Sequence, residues 1–128
     1  MPDFSAAQLH QAARDERARR QAAWAAAGQT FSDRALQDDA LWSNIEQMAG
    51  RFAGDPVAMK RWPWYWTPIE RETMVDSVLK TAIKAETRLD ASKPDDRAKI
   101  DALWHLFRWL RNPGAYRQPV AKSAREAA

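Results

Sequence analysis

The sequence has no cysteine, only four glycines and only two histidines among its 128 residues. Without cysteine there is no disulfide framework, no thiolate metal site and no thiol nucleophile, and a reducing compartment suits the chain. Glycine is too scarce for a loop that cradles phosphates. Neither His10 nor His105 has a second His or an acidic residue at metal-ligand spacing, so no metal or other cofactor is indicated. Glu70 and Glu72 fall near the aromatic segment described below, but Glu70 has a helix-capping role and Glu72 points elsewhere on that helix. They make no acid–base pair, and the chain reads as non-enzymatic. No hydrophobic run approaches the roughly 18 to 20 apolar residues of a spanning helix. The start, Met1-Pro2-Asp3-Phe4, lacks the basic and then apolar pattern of a secretory signal. The expectation is a cytoplasmic protein with no membrane partner.

Charge is nearly balanced, with twenty Lys and Arg against seventeen Asp and Glu for a net +3. The distribution along the chain is uneven. Residues 1–28 sum to +1, residues 29–55 to −3, residues 56–92 to +1 and residues 93–128 to +4. An acidic second segment beside basic neighbours implies either complementarity within the molecule or two faces for different partners.

Helix punctuation is dense. Phe4-Ser5-Ala6-Ala7-Gln8-Leu9 supplies an N-cap at Ser5, a reciprocal capping-box residue at Gln8 and a hydrophobic staple between Phe4 and Leu9. The helix that starts there runs through an Ala-rich body to Gly28. Between Leu9 and Trp24 its apolar stripe is interrupted by Glu16, Arg17 and Arg20. It should therefore be an exposed arm, or a helix docked through Trp24 and small Ala contacts. Phe31-Ser32-Asp33-Arg34-Ala35-Leu36 repeats the spacing and reads as a second staple and cap. Leu41, Ile45, Met48 and Phe52, widened by Trp42 and Ala49, then mark one face of a helix over 33–53. Asp55-Pro56 opens a short helix that Pro63 ends.

Thr67-Pro68-Ile69-Glu70 is a further start signal, and Val75, Val78, Leu79, Ala82, Ile83 and Leu89 form the apolar face of a helix over 68–90. Pro94-Asp95-Asp96 opens the last helix, over 94–111, with its acidic first turn and its terminal Arg108 and Arg111 matched to the helix dipole. Ile100, Leu103, Trp104, Phe107 and Leu110 supply its core face, and Asn112-Pro113-Gly114 stops it. No segment sustains a period of two. The predicted fold is all-α: an N-terminal helical arm (1–28), a helical core domain (29–112) with a Trp-rich connector packed against it, and a basic flexible tail (113–128).

The connector, Lys60-Arg61-Trp62-Pro63-Trp64-Tyr65-Trp66-Thr67-Pro68, holds three of the chain's seven Trp. Burying about 200 Å² per Trp at about 25 cal/mol/Å² contributes at most about 15 kcal/mol, so most of this area should be covered. Trp faces also stack on unpaired bases, with Lys60 and Arg61 placed for phosphates, and Trp, Tyr and Arg are equally common anchors of protein interfaces. A second basic and aromatic series, Arg17, Arg20 and Trp24, lies along the first helix, although ion pairs with Asp15 and Glu16 would account for much of it. The candidate partner-binding residues are Arg17, Arg20, Trp24, Lys60, Arg61, Trp64, Tyr65, Arg108 and Arg111.

An Arg-rich first helix, then Leu41-Trp42-Ser43-Asn44-Ile45-Glu46-Gln47, Arg61-Trp62-Pro63-Trp64 and Thr67-Pro68-Ile69-Glu70-Arg71, resembles short uncharacterised helical proteins of bacterial prophage regions over residues 10–90. The resemblance implies a phage-type accessory protein and brings no catalytic motif. The expectation is a binding module that engages nucleic acid or a nucleoprotein complex. The alternatives are a protein–protein interaction module, such as an inhibitor or adaptor, and a structural subunit that self-associates through the N-terminal helix.

Overall fold

The computed structural model describes residues 5–54 and 68–112, with side chains in the second stretch from residue 70. The expected helix after Pro56, the Trp-rich connector, the Phe4 staple and the basic tail lie outside the described residues. Four helices account for almost all of the rest: α1 (Ala6–Ala26), α2 (Asp33–Gly54), α3 (Pro68–Arg88) and α4 (Pro94–Arg111). Among the described residues there is no strand, and the protein is an all-α bundle.

The helix ends form where the cap chemistry requires. Ser5 Oγ accepts from the Gln8 N–H at 3.2 Å, and Gln8 Oε1 accepts from the Ser5 N–H at 2.8 Å, closing a capping box on α1. At the other end the Gly28 N–H bonds the Ala25 carbonyl and the Gln29 N–H bonds the Trp24 carbonyl. This pair of bonds is a Schellman turn, and it needs Gly28 at its φ of +69°. Ser32 Oγ then accepts from the Ala35 N–H and caps α2. Phe31 stays 87% exposed, so no hydrophobic staple buries it at this start. Between α3 and α4 the Asp90 carboxylate accepts from both the N–H and the hydroxyl of Ser92, which holds its carboxyl below the usual range.

α1 packs against α2 and α4, α3 packs against α4, and α2 meets α3 more lightly. The main core joins Ala6, Leu9 and Ala13 of α1 to Ile45, Met48 and Phe52 of α2, Met74 and Val78 of α3, and Leu106 and Leu110 of α4. Trp42 and Trp109 are fully buried in the same cluster, and Trp109 stacks on Phe52 with centroids 5.4 Å apart. A smaller cluster, Ala82, Ala85, Ile100 and Leu103, fills the other end of the α3–α4 pair.

Three expectations change. Residues 6–26 are not an exposed arm but a docked helix, the other of the two expectations: the stripe Ala6, Leu9, Ala13 and Glu16 is buried, Glu16 is paired by Arg19 and Arg20 of the same helix, and Arg17 and Arg20 reach carboxylates on α2. The core side of α3 runs through Met74, Val78, Ala82 and Ala85, which are spaced three and four apart, and this turns Ile83 outward to 50% exposure. On α4 the buried face is centred on Leu103, Leu106 and Leu110 with Trp109, so Trp104 and Phe107 are only half-buried. Trp104 keeps its indole N–H at the edge, donating to Glu86 Oε1 at 2.7 Å.

Candidate functional site

Arg17 and Arg20 lie one turn apart on the side of α1 that faces α2, where they meet the acidic residues of that helix. Arg17 donates from Nε and Nη2 to the two carboxylate oxygens of Asp39, at 2.9 and 3.1 Å, and from Nη1 to Glu46 at 2.8 Å. These bonds raise the Arg17 pKa above its ordinary value, and the Arg17 fork holds the Asp39 carboxyl below its ordinary value. Gln21 adds a bond to the same carboxylate at 2.9 Å.

Arg20 ties three helices together. Its Nε donates to Glu16 at 2.9 Å, its Nη1 to Asp38 of α2 at 2.7 Å and its Nη2 to the Thr81 hydroxyl of α3 at 2.5 Å. Its guanidinium carbon also sits 4.7 Å from the ring centroid of buried Trp42. Glu16 is 4% exposed and is held from its other side by Arg19, at 2.9 and 2.6 Å, which raises the Arg19 pKa. Buried carboxylates need such pairing, because an uncompensated buried charge costs several kcal/mol. Among the described residues Asp15 takes no part in an ion pair and instead accepts from Gln11 at 2.7 Å.

The remaining predicted residues are dispersed. Trp24 is half-buried near the end of α1 and donates its indole N–H to Asp38 at 3.0 Å, which joins it to the Arg20 network. Arg108 and Arg111 are exposed on the last turn of α4, where Arg111 lies 6.0 Å from the Phe107 ring centroid. Because α4 packs its C-terminal half against the start of α1, these two arginines are at the opposite end of the bundle from Trp24. Lys60, Arg61, Trp64 and Tyr65 lie outside the described residues. The structure therefore joins Arg17, Arg20 and Trp24 in one network and does not bring Arg108 or Arg111 to it.

Sequence reasoning missed the surface next to this network. Phe31, 87% exposed, and Leu36, 53% exposed, stand at the α1–α2 turn. With Trp24 they line a hollow of about 250 Å³ whose floor includes Ala35 and Trp42. Large apolar side chains grouped on a surface mark contact sites more often than isolated ones do. A signal was present in the second F-S-x-x-x-L spacing: Phe31 lies in the six-residue turn 27–32 between α1 and α2, where little chain is at hand to cover it.

Among the described residues no group of His, Asp and Glu is arranged to hold a metal ion, and no helix is long and apolar enough to cross a membrane. Comparison of the chain with protein-family models, with curated proteins and with solved structures finds no match.

Proposed function

We propose that the protein is a non-enzymatic docking module that binds a partner protein through the tip of the α1–α2 hairpin, with Trp24, Phe31 and Leu36 as contact side chains. The observation that carries this reading is Phe31, 87% exposed beside a half-buried Trp24 on a hairpin whose two ends are capped. A rigid aromatic anchor loses little conformational freedom on docking. A nucleic-acid partner would need free cations, and Arg17 and Arg20 already have carboxylate partners within the fold. Freeing either one for a phosphate would break the ion pairs that join α1 to α2. The resemblance to prophage-region proteins adds a setting to the proposal, that of an accessory protein docking on a larger assembly.

A photo-reactive phenylalanine analogue at position 31, expressed in the cells that make the protein, tests the proposal. The expected result is a discrete protein adduct that is lost when Leu36→Ser is added. Adducts to nucleic acid, or binding of single-stranded or duplex DNA or RNA at low salt that falls linearly in log salt and depends on Arg108 and Arg111, would assign the function to nucleic acid instead.

A further inference from the structure

A second concave surface lies between α1 and α4, a groove of about 480 Å³, within the size range of small-molecule clefts. Its middle is floored by Ala12 of α1 and by Ala98, Ala102 and Leu103 of α4. The small side chains let the two helices leave a slot that larger residues would fill. At one end Arg19 of α1, Arg88 of α3 and Lys99 of α4 converge from three helices, and Gln8 and Gln11 stand on the wall toward the start of α1.

The charges at the cationic end are unevenly matched. Glu16 is neutralised by Arg19 and Arg20 together, and Asp15, which accepts from the neutral Gln11 amide, keeps its negative charge on this wall against the cations Arg88 and Lys99. Arg88 and Lys99 are exposed and make no ion pair among the described residues. Arg19 uses Nε and Nη2 on Glu16 and directs no bond from Nη1 to the described residues. Donors for one anionic group are thus grouped at the end of an apolar slot.

We infer that this groove binds a single-chain anionic amphiphile, its carboxylate or phosphate held by Arg88 and Lys99 beside Arg19, and its apolar body laid along Ala98, Ala102 and Leu103. An anionic head group gains charge-assisted bonds from Arg88 and Lys99, which make no ion pair among the described residues, and a neutral analogue gains none. The slot is independent of the hairpin tip, so loss of docking at Phe31 would leave it intact.

The test uses the full chain and three probes below their micelle concentrations: dodecanoate, dodecanol and dodecyltrimethylammonium. Dodecanoate is expected to shift the methyl resonances of Ala98, Ala102 and Leu103 saturably, and the ammonium probe is not. The Arg88→Glu, Lys99→Glu double variant should stay folded with a melting temperature lowered by only a few degrees, since both side chains are exposed and lose only helix-dipole and i,i+4 charge contributions, and bind dodecanoate roughly tenfold or more weakly. Ala102→Phe, which fills the slot, should lose binding even with both cations present. Equal shifts from the ammonium probe, undiminished binding by the charge-reversed variant, or no saturable shift would each overturn the inference. Sedimentation with phosphatidylglycerol vesicles without methyl shifts from monomeric dodecanoate would do the same, by moving the anion recognition to a lipid surface.

Discussion

Removing the Arg20 guanidinium should destabilise the protein more than any other single change of a charged residue on α1. The side chain is only 22% exposed and bonds three groups on three helices. Charge-assisted bonds contribute about 1.5–3 kcal/mol each, and a cation over an aromatic ring adds about 0.5–1 kcal/mol. The sum overstates the loss, because no acceptor is left bare. Glu16 keeps Arg19, Asp38 keeps the Trp24 indole, and Thr81 still donates to the Ser77 carbonyl at 2.7 Å. Arg20→Ala should therefore cost about 2–3 kcal/mol, below the roughly 3–5 kcal/mol of a fully orphaned buried charge.

For a chain of this length that loss lowers Tm by about 6–15 °C. Thermal and urea unfolding of the wild type, Arg20→Ala and Arg20→Met would measure it. Met keeps an unbranched stem over Trp42 but none of the polar bonds, so it should recover the packing and leave most of the deficit. A change within about 0.5 kcal/mol for Arg20→Ala, the range of ordinary surface substitutions, would refute the account. Full recovery by Met would show that packing alone matters at this position.

Four further outcomes are expected. Gly50 lies inside α2, where a Cβ would meet His10 Nε2 at 3.1 Å. Gly50→Ala should gain most of the roughly 1 kcal/mol of helix propensity only in a His10→Ala background, and less in the wild type, by urea unfolding. Gly28→Ala forces a positive φ on a residue with a Cβ and should cost about 1–2 kcal/mol by the same measurement. Trp42 donates its indole N–H to Ser77 Oγ, whereas the Trp109 indole N–H has no partner among the described residues. Trp109→Phe should then destabilise less than Trp42→Phe in thermal melts, since it removes an unsatisfied donor along with its area. Asp39 has its carboxyl pKa depressed by Arg17. Its contribution to stability is complete above the unfolded-state value of about 4 and is lost as pH falls through the lower folded value, so Arg17→Ala should flatten the acid limb of a pH–stability profile below about pH 4. Solvent screening of this partly exposed pair keeps the effect small.

The helices were legible because their ends carry local chemistry. Ser5 with Gln8, Gly28, Ser32, Pro68 and Pro94 set boundaries through hydrogen bonds and backbone angles that neighbouring residues alone determine. The face of each helix was less legible. Ile83 and Leu106 differ little in hydrophobicity, yet one is half-exposed and the other fully buried, because the partner helix sets the rotation. The docking of α1 was hidden for a related reason. Arg17 and Arg20 look like breaks in an apolar stripe until Asp38, Asp39 and Glu46 of α2 are placed opposite them, and Glu16 does so until Arg19 and Arg20 close over it. The −3 sum of residues 29–55 carried the hint, since that excess is in part what the first helix neutralises.

The same pairing separates what holds the protein together from what is free to bind. An arginine that joins two helices, as Arg17 does, or three, as Arg20 does, cannot also serve a phosphate without loosening the fold. Phe31 contributes almost nothing to that fold, because at 87% exposure it has little area to lose on unfolding. Trp24 stands between the two roles, with its N–H anchored on Asp38 and part of its ring open beside Phe31. Asp38 in turn is held by Arg20, so the network that joins the helices also fixes the orientation of the Trp24 indole. Weakening Arg20 would therefore disturb the orientation of Trp24 and with it the proposed docking, whereas replacing Phe31 would remove only exposed apolar area and leave the bundle unchanged.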